Sequence, residues 1–494
     1  MITFQDMERD LQQGVRLEDF VQKAINTHLG SEEFKIAQDA DLYDKQKNST
    51  VMNYIRWMYS VAGDKVPDLT ASNNKIASNF FHRLNTQRCE YSLGNGVSFV
   101  DHKKKTIDQE TGAEITVDTT KEALGKKFDT DLKKAAYAAL IHGISFGFYD
   151  VDRLNVYKIT EFVPLWDEYT GALRAGIRFW KIDDNKPLVA TLFEEDGFTK
   201  FKKEEKDVMR IEEEKQAYIQ TIYKSEEGGI ESIESKNYPG FPVVPLWGSP
   251  LHQSTLVGMK GKIDAFDLIR SGFANDLDDV AEVYWILNNA AGMDDSDMAD
   301  FRRRLKLQHI AKADQDQTVT PYTQEIPYQA RKVFLDDLHD GIYEDFGALD
   351  VHTIAAGATN DHIDAAYQPM DEEADDYEWQ IIEFIQAILE LQGIEDTPVF
   401  KRNRISNQSE QTAMVLSAAD YLDEETVLQK LPFITPDEVS AILARKAADD
   451  ASNFEDTDPF ADDDEGDEGD EGGAPEEDGA PEGNPAEDEG QPEE

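Results

Sequence analysis

Hydrophobic positions change their period along the chain, and the changes divide it. Residues 1–90 read as mainly helical: Met52, Ile55, Trp57, Met58 and Tyr59 lie close together. Ile76, Phe80, Phe81 and Leu84 repeat at helical spacing, with Ser72 or Asn74 placed to cap that helix. A turn over 91–99 leads into a strand, and a helix follows over 129–142 with Leu132, Ala136, Ala139 and Leu140 on one side. Residues 144–235 are β-like. Val151, Val156, Tyr157, Ile159, Phe162 and Val163 form a first run, Ile177, Phe179, Trp180 and Ile182 a second. Further runs lie at 188–193, 198–201 and 218–223, and the Gly and Asp turns between all of these predict a meander, closed by a Pro cluster over 238–245.

The most regular helical stripe comes next. Leu256, Met259, Ile263, Phe266, Ile269 or Arg270, Phe273, Leu277 and Val280 recur every three or four residues behind a candidate N-cap, Ser254. A helix over 254–280 is about 40 Å long. A second stripe, Ala330, Phe334, Leu338, Ile342 and Phe346, follows Pro327. Between the two lies an insert, 281–327, and after them a loop of small residues leads to a long helix over 362–392, kinked near Pro369, with Tyr377, Ile381, Phe384, Ile385, Ile388 and Leu391 on its apolar side. One returning strand is expected over 398–404, and helices over 408–421, 424–430 and 436–447.

Composition changes the picture at the end of the chain. Of 494 residues, 101 are acidic and 49 are Lys or Arg, a formal charge of −52. Residues 449–494 hold 22 acids and no Lys or Arg, a composition expected to stay disordered. The remainder still carries −30, which argues against a protein that grips nucleic acid through a general basic surface. The single cysteine, Cys89, excludes an internal disulfide, and neither a signal peptide nor a stretch of 18 apolar residues is found. A soluble protein of a reducing cytoplasm is expected.

Enzyme motifs mostly fail: GxxxxGK[ST], HExxH and CxxC are missing, so no metal or cofactor is expected. Gly143-Ile-Ser145-Phe-Gly147 does fit the GxSxG nucleophile elbow, but the elbow needs a strand before the serine and a helix after it, the reverse of the order here. The acidic clusters at 294–297 and 462–466 lack the EF-hand spacing, and the nine histidines are scattered. Arg302, Arg303, Arg304 and Lys306 form a basic run in acidic surroundings. Two readings stand for it: a helix face balancing Asp295, Asp297 and Asp300, or a docking patch for phosphates or an acidic partner.

The order of elements resembles the portal protein of tailed bacteriophages. Residues 74–81 (NKIASNFF) with 91–97 (YSLGNGV) resemble the early portal helix and its exit. Residues 131–152 resemble the helix-then-strand step after it, 241–246 (FPVVPL) the approach to the stem, and 274–281 (ANDLDDVA) the end of the first stem helix. Residues 406–412 and 423–433 are similar to crown helices. The resemblance covers roughly residues 31–448.

It implies an α+β fold with a wing over 1–250, a stem helix over 251–280, a clip over 281–327 and a second stem helix over 328–348. A tunnel loop over 349–361, a long wing helix and returning strand over 362–405, a helical crown over 406–448 and the acidic tail, 449–494, complete it. It implies a homo-oligomeric ring, typically of twelve subunits, at one capsid vertex of the virion, assembled in the host cytoplasm. Double-stranded DNA would pass through without sequence specificity. The tunnel loop (Asp350, Val351, His352, Thr353, Ile354, Ala355, Ala356, Gly357, Ala358, Thr359, Asn360) would project inward, and the clip would use Arg302, Arg303, Arg304 and Lys306 to dock partners. The partners implied are the terminase large subunit, a head-completion or adaptor protein, and the major capsid and scaffolding proteins, with no membrane. Such a chain needs no catalysis of its own. Two other readings compete: an acidic hydrolase using Ser145, and an acidic chaperone-like protein whose tail captures basic partners.

Overall fold

The computed structural model describes residues 2–59, 63–68, 71–107, 114–151, 153–204, 207–224, 230–280, 284–288, 297, 318–322, 328–354, 359–404, 408–434, 438–439, 441–443 and 445–446. The chain falls into two units, Met1–Asn407 and Gln408–Glu494.

The first unit opens with three helices, α1 (Phe4–Gln12), α2 (Leu17–Leu29) and α3 (Glu32–Asp44). Thr3 and Asp6 close a capping box at α1, each side chain accepting from the other residue's N–H at 3.2 Å. A short α4 (Ser49–Met52) precedes a hairpin of β1 (Trp57–Tyr59) and β2 (Lys65–Pro67). The helix expected through 52–59 is therefore not formed: these aromatics alternate on an exposed two-stranded ribbon. Ile76 also lies outside α5 (Phe80–Leu93), and Asn79, not Ser72 or Asn74, is the residue at its N-cap.

Next come β3 (Val97–Phe99), the hairpin β4 (Lys103–Ile107) and β5 (Glu114–Asp118), α6 (Thr119–Leu124) and α7 (Phe128–His142). Helix α7 is the hub of the largest core. Its Leu132, Ala135, Ala136, Ala139 and Leu140 are fully buried, and the small alanines admit neighbouring strands closely.

The β-region forms two sheets. β6 (Ile144–Asp150), β7 (Arg153–Lys158) and β15 (Val243–Trp247) pair in the order β15-β6-β7. The expected meander is present as β8 (Phe162–Trp166), β9 (Leu173–Trp180), β10 (Leu188–Glu194), β11 (Gly197–Lys203) and β12 (Arg210–Gln216), all antiparallel neighbours. Helices α1 and α2 cover one of its faces, Phe20, Val21 and Ile25 packing with Leu165, Ile177 and Leu192. β13 (Ile219–Lys224) and β14 (Ile230–Lys236) form a separate hairpin.

Helix α8 (Thr255–Val280) follows, with Ser254 Oγ accepting from Leu256 N (3.1 Å), as expected of its cap. Of the insert, only the antiparallel pair β16 (Tyr284–Asn288) and β17 (Thr318–Tyr322) and residue 297 are described. Helix α9 (Tyr328–Phe346) leads through a 3-10 turn (Val351–Thr353) to α10 (Asn360–Gln392), which runs on through Pro369 and ends at Gly393 in the left-handed conformation. The returning strand is short: β18 (Pro398–Phe400) pairs with β3, and residues 401–404 carry on as irregular chain. In the second unit the helix expected over 408–421 is shorter, α11 (Gln408–Ser417) followed by a 3-10 turn (Ala419–Tyr421), and α12 (Glu424–Lys430) forms as expected. Of 436–447, residues 438–439, 441–443 and 445–446 are described, and all of the acidic tail lies outside the described residues.

Candidate functional site

Helices α8 and α9 pack antiparallel. At one end Lys262 pairs with Asp345 and donates to Gly341 O (3.0 Å). At the other, Arg331 pairs with Asp276 and the rings of Phe273 and Tyr328 lie 5.9 Å apart. Burial fades along the pair. Leu256, Met259, Ile263, Ile342 and Phe346 are buried with Tyr43, Phe80 and Leu84, whereas Leu277, Val333 and Phe334 are exposed. The stripes read from the sequence are thus real, but one chain buries only half of each.

A strap runs along α8. Within residues 74–78 the N–H groups of Asn74, Ile76 and Ser78 donate to Asn275 Oδ1 (2.6 Å), Ser271 Oγ (3.0 Å) and Asp267 Oδ1 (2.8 Å). The spacings match: four helical residues rise about 6 Å and two extended residues about 6.6 Å. This is why residues 72–78 do not join α5, since their donors are satisfied by side chains some 190 residues away. Asp267 is fully buried and also accepts from Asn48. Burial pushes its carboxyl above the usual carboxylate range despite the hydrogen bonds from Ser78 and Asn48.

The loop after α9 is anchored at both described ends. Leu349 is buried, its carbonyl accepting from Gln87 (2.8 Å), and Asp350 caps the 3-10 turn by accepting from His352 N (3.0 Å). Ile354 packs beside Tyr91, Ile363 and Tyr367. Thr359 stands at the N-cap of α10 with its hydroxyl 2.9 Å from His362 Nδ1, and Asn360 opens the helix. Of the expected loop residues, Ala355, Ala356, Gly357 and Ala358 lie outside the described residues, as do Arg302, Arg303, Arg304 and Lys306.

Behind the loop sits a clasp that the sequence reading missed. Residues 361–378 of α10 carry eight acids and no Lys or Arg. Arg402 forks onto Glu378 (3.1 and 2.9 Å) and reaches Asp371 (2.9 Å) and Asp375. Arg404 pairs with Asp371 and Asp364 and donates to Tyr91 Oη (2.8 Å), while Tyr91 donates to Asp371 (2.6 Å). Arg88 adds Glu373 (3.0 Å) and lies over the Phe346 ring. Burial would raise the Asp371 carboxyl, but hydrogen bonds from Tyr91 and Arg404 hold it below its ordinary value. The available signal was charge balance: a long acidic helix needs cations, and residues 401–404 supply them in an acidic chain.

The GxSxG match has a structural explanation. Gly143 closes α7 at φ +87°, where a Cβ would lie 2.7 Å from the Gln253 carbonyl carbon; a Cβ on Gly147 would lie 2.4 Å from Phe384. Ser145 is fully buried on β6 and donates to Ala135 O (2.8 Å), so it is not presented as a nucleophile. Among the described residues no helix is long and apolar enough to cross a membrane.

The chain belongs to the family described as phage portal protein, SPP1 Gp6-like, which matches residues 35–452. It is similar to the portal protein of Clostridium phage phiCD119, 23% identical over 439 residues covering 78% of this chain and 89% of that one. It is similar also to the portal protein of Bacillus phage SPP1, 23% identical over 412 residues covering 77% of each. The portal family is a structural component of phage particles, and the hydrolase reading of Ser145 has no support.

Proposed function

We propose that this chain assembles into a ring, of about twelve copies by family resemblance, that forms the DNA conduit at one capsid vertex. The observation that carries this is the half-buried α8/α9 pair inside a family match spanning residues 35–452: stripes unsatisfied within one chain are what neighbours in a ring would cover. In this reading α8 and α9 are the stem and residues 281–327 the clip facing the terminase motor and later the adaptor. Residues 349–361 form the tunnel loop, and 406–448 the crown.

The exposed carboxylates Asp336 and Asp340 of α9 suit a conduit. An acidic wall does not trap a polyanion, so DNA slides instead of sticking. The basic run Arg302 to Lys306 is then the clip's docking patch for an acidic partner surface. The tail, 449–494, repels packaged DNA or recruits a basic assembly partner, and its deletion should change particle yield or packaged DNA length.

Negative-stain microscopy with light-scattering mass tests the assembly directly, on the chain alone and with its scaffolding protein. Rings with a central hole wide enough for duplex DNA are expected. A monomer under both conditions would overturn the reading.

A further inference from the structure

The hairpin β1/β2 exposes a run of large apolar residues, Trp57, Met58 and Tyr59. Trp57 and Tyr59 share one face of the ribbon, Tyr59 is 75% exposed, and Lys65 lies opposite Tyr59 with its ammonium 5.0 Å from the centre of the Trp57 ring. A two-stranded ribbon with aromatic residues in water is poorly stable on its own and marks a contact surface.

Its place on the molecule indicates what it contacts. The ribbon's base is tied to the start of the strap: Asp68 N donates to Arg56 O (2.8 Å) and Arg56 Nη1 to Ser72 O (3.2 Å). Two residues further on, Asn74 is fixed to Asn275 and, through its side chain, to Asp278 (2.6 Å). The ribbon is therefore rooted beside the C-terminal half of α8. At that same level α8 holds α9, through Phe273–Tyr328 and Asp276–Arg331.

The two attachments use opposite sides of α8. Positions 267, 271, 275 and 278 face the strap, and 262, 269, 273 and 276 face α9; at about 100° per residue these sets lie roughly 180° apart. On α9 in turn, Val333 and Asp337 lie roughly 180° from the face carrying Tyr328, Arg331, Ile342 and Phe346. Ribbon, α8, α9 and the outer face of α9 thus stand in a row, with an unpartnered apolar surface at each end. The outer face of α9 bears a groove of about 480 Å³ lined by Gln329, Ala330, Val333, Phe334 and Asp337, and Val333 is 68% exposed.

We infer that the β1/β2 ribbon of one copy docks on the outer face of α9 of the next copy, Trp57 and Tyr59 covering Val333 and Phe334 while Lys65 meets Asp337. Two different patches at opposite ends of one row are what a head-to-tail ring requires, since a twofold contact would pair a patch with itself. The charges agree: a lysine on the ribbon faces the acidic side of α9. This inference rests on the ring reading above and assigns the residues at one of its contacts.

The test uses the full chain carrying Tyr59→Cys and Val333→Cys together; native Cys89 is buried and does not compete. Mild oxidation should give a ladder of covalent oligomers on a denaturing gel rising past the dimer, with neither single variant doing so. Rings by microscopy without a ladder would overturn this contact and leave the ring reading standing. Absence of rings, with or without scaffolding protein, would overturn both. Should the cysteine variant fold poorly, charge reversal decides: Asp337→Lys should lose most rings and Lys65→Asp in the same chain should restore them. Normal rings with Asp337→Lys alone, or no restoration in the pair, would refute the inference.

Discussion

Helix α10 and the α8/α9 pair have equally regular stripes, yet they end up in opposite situations. The α10 stripe is buried by its own chain: Tyr377, Ile381, Phe384, Ile385 and Ile388 all lie in the central core, and its acids are neutralised by Arg88, Arg402 and Arg404. The α8/α9 pair is covered at one end and bare at the other, with Leu277, Val333 and Phe334 in solvent. An amphipathic pattern specifies that a face must be covered but not which chain supplies the cover. Burial separates the anchor of the subunit from the part left for its neighbours.

The sharpest test of that contrast compares two phenylalanines. Phe384→Ala, which empties a site packed against Gly147, should lower subunit stability by about 3–5 kcal/mol in denaturant unfolding. Phe334→Ala should change monomer unfolding by no more than about 0.5 kcal/mol while reducing ring yield. Equal effects of the two on the monomer would break the distinction.

A smaller effect should come from the clasp. Asp371→Ala leaves Arg402, Arg404 and Tyr91 without their shared acceptor and should cost about 1–3 kcal/mol. Because the Asp371 carboxyl is held below its unfolded value, its contribution is present above the unfolded pKa and is lost as pH falls through the folded one. The wild type should therefore lose stability on acidification faster than Asp371→Asn.

The smallest effects concern single carboxylates. Asp396, held by Thr120 (2.6 Å) and the N–H groups of Asp101 and Thr397, is lowered to about 2. Its stabilisation should fade between about pH 4, where the unfolded carboxyl titrates, and about 2. Asp267 has the opposite sign. Its raised carboxyl binds a proton more tightly folded than unfolded, so its contribution is present below the unfolded carboxyl value and weakens as pH rises from there through the raised folded one, and Asp267→Asn should flatten the dependence.

Much of the architecture was legible in residue spacing. The stripes of α8, α9 and α10, the cap at Ser254 and the first strands of the meander follow from period and turn chemistry alone. What escaped depends on distant partners. Strand β12 is largely polar (RIEEEKQ) and exists because β11 lies beside it. The cluster from Met52 to Tyr59 looked helical because aromatics crowd it, but its alternation belongs to a ribbon. Charge balance hinted at the clasp, but its pairings were not readable, because Arg88 reaches Glu373 and Arg402 reaches Asp371 only after α5, α10 and β18 have been placed.

The strap on α8 has a mechanical consequence. Its three rungs, at Asp267, Ser271 and Asn275, lie in line along the helix axis and are made by main-chain donors of the extended segment. A load applied along that axis shears all three together, whereas a load lifting the segment away breaks them one at a time. The attachment is therefore stiff to sliding and weak to peeling, and its tolerance of side-chain change lies on the strand side, with the helix bearing the chemical requirement.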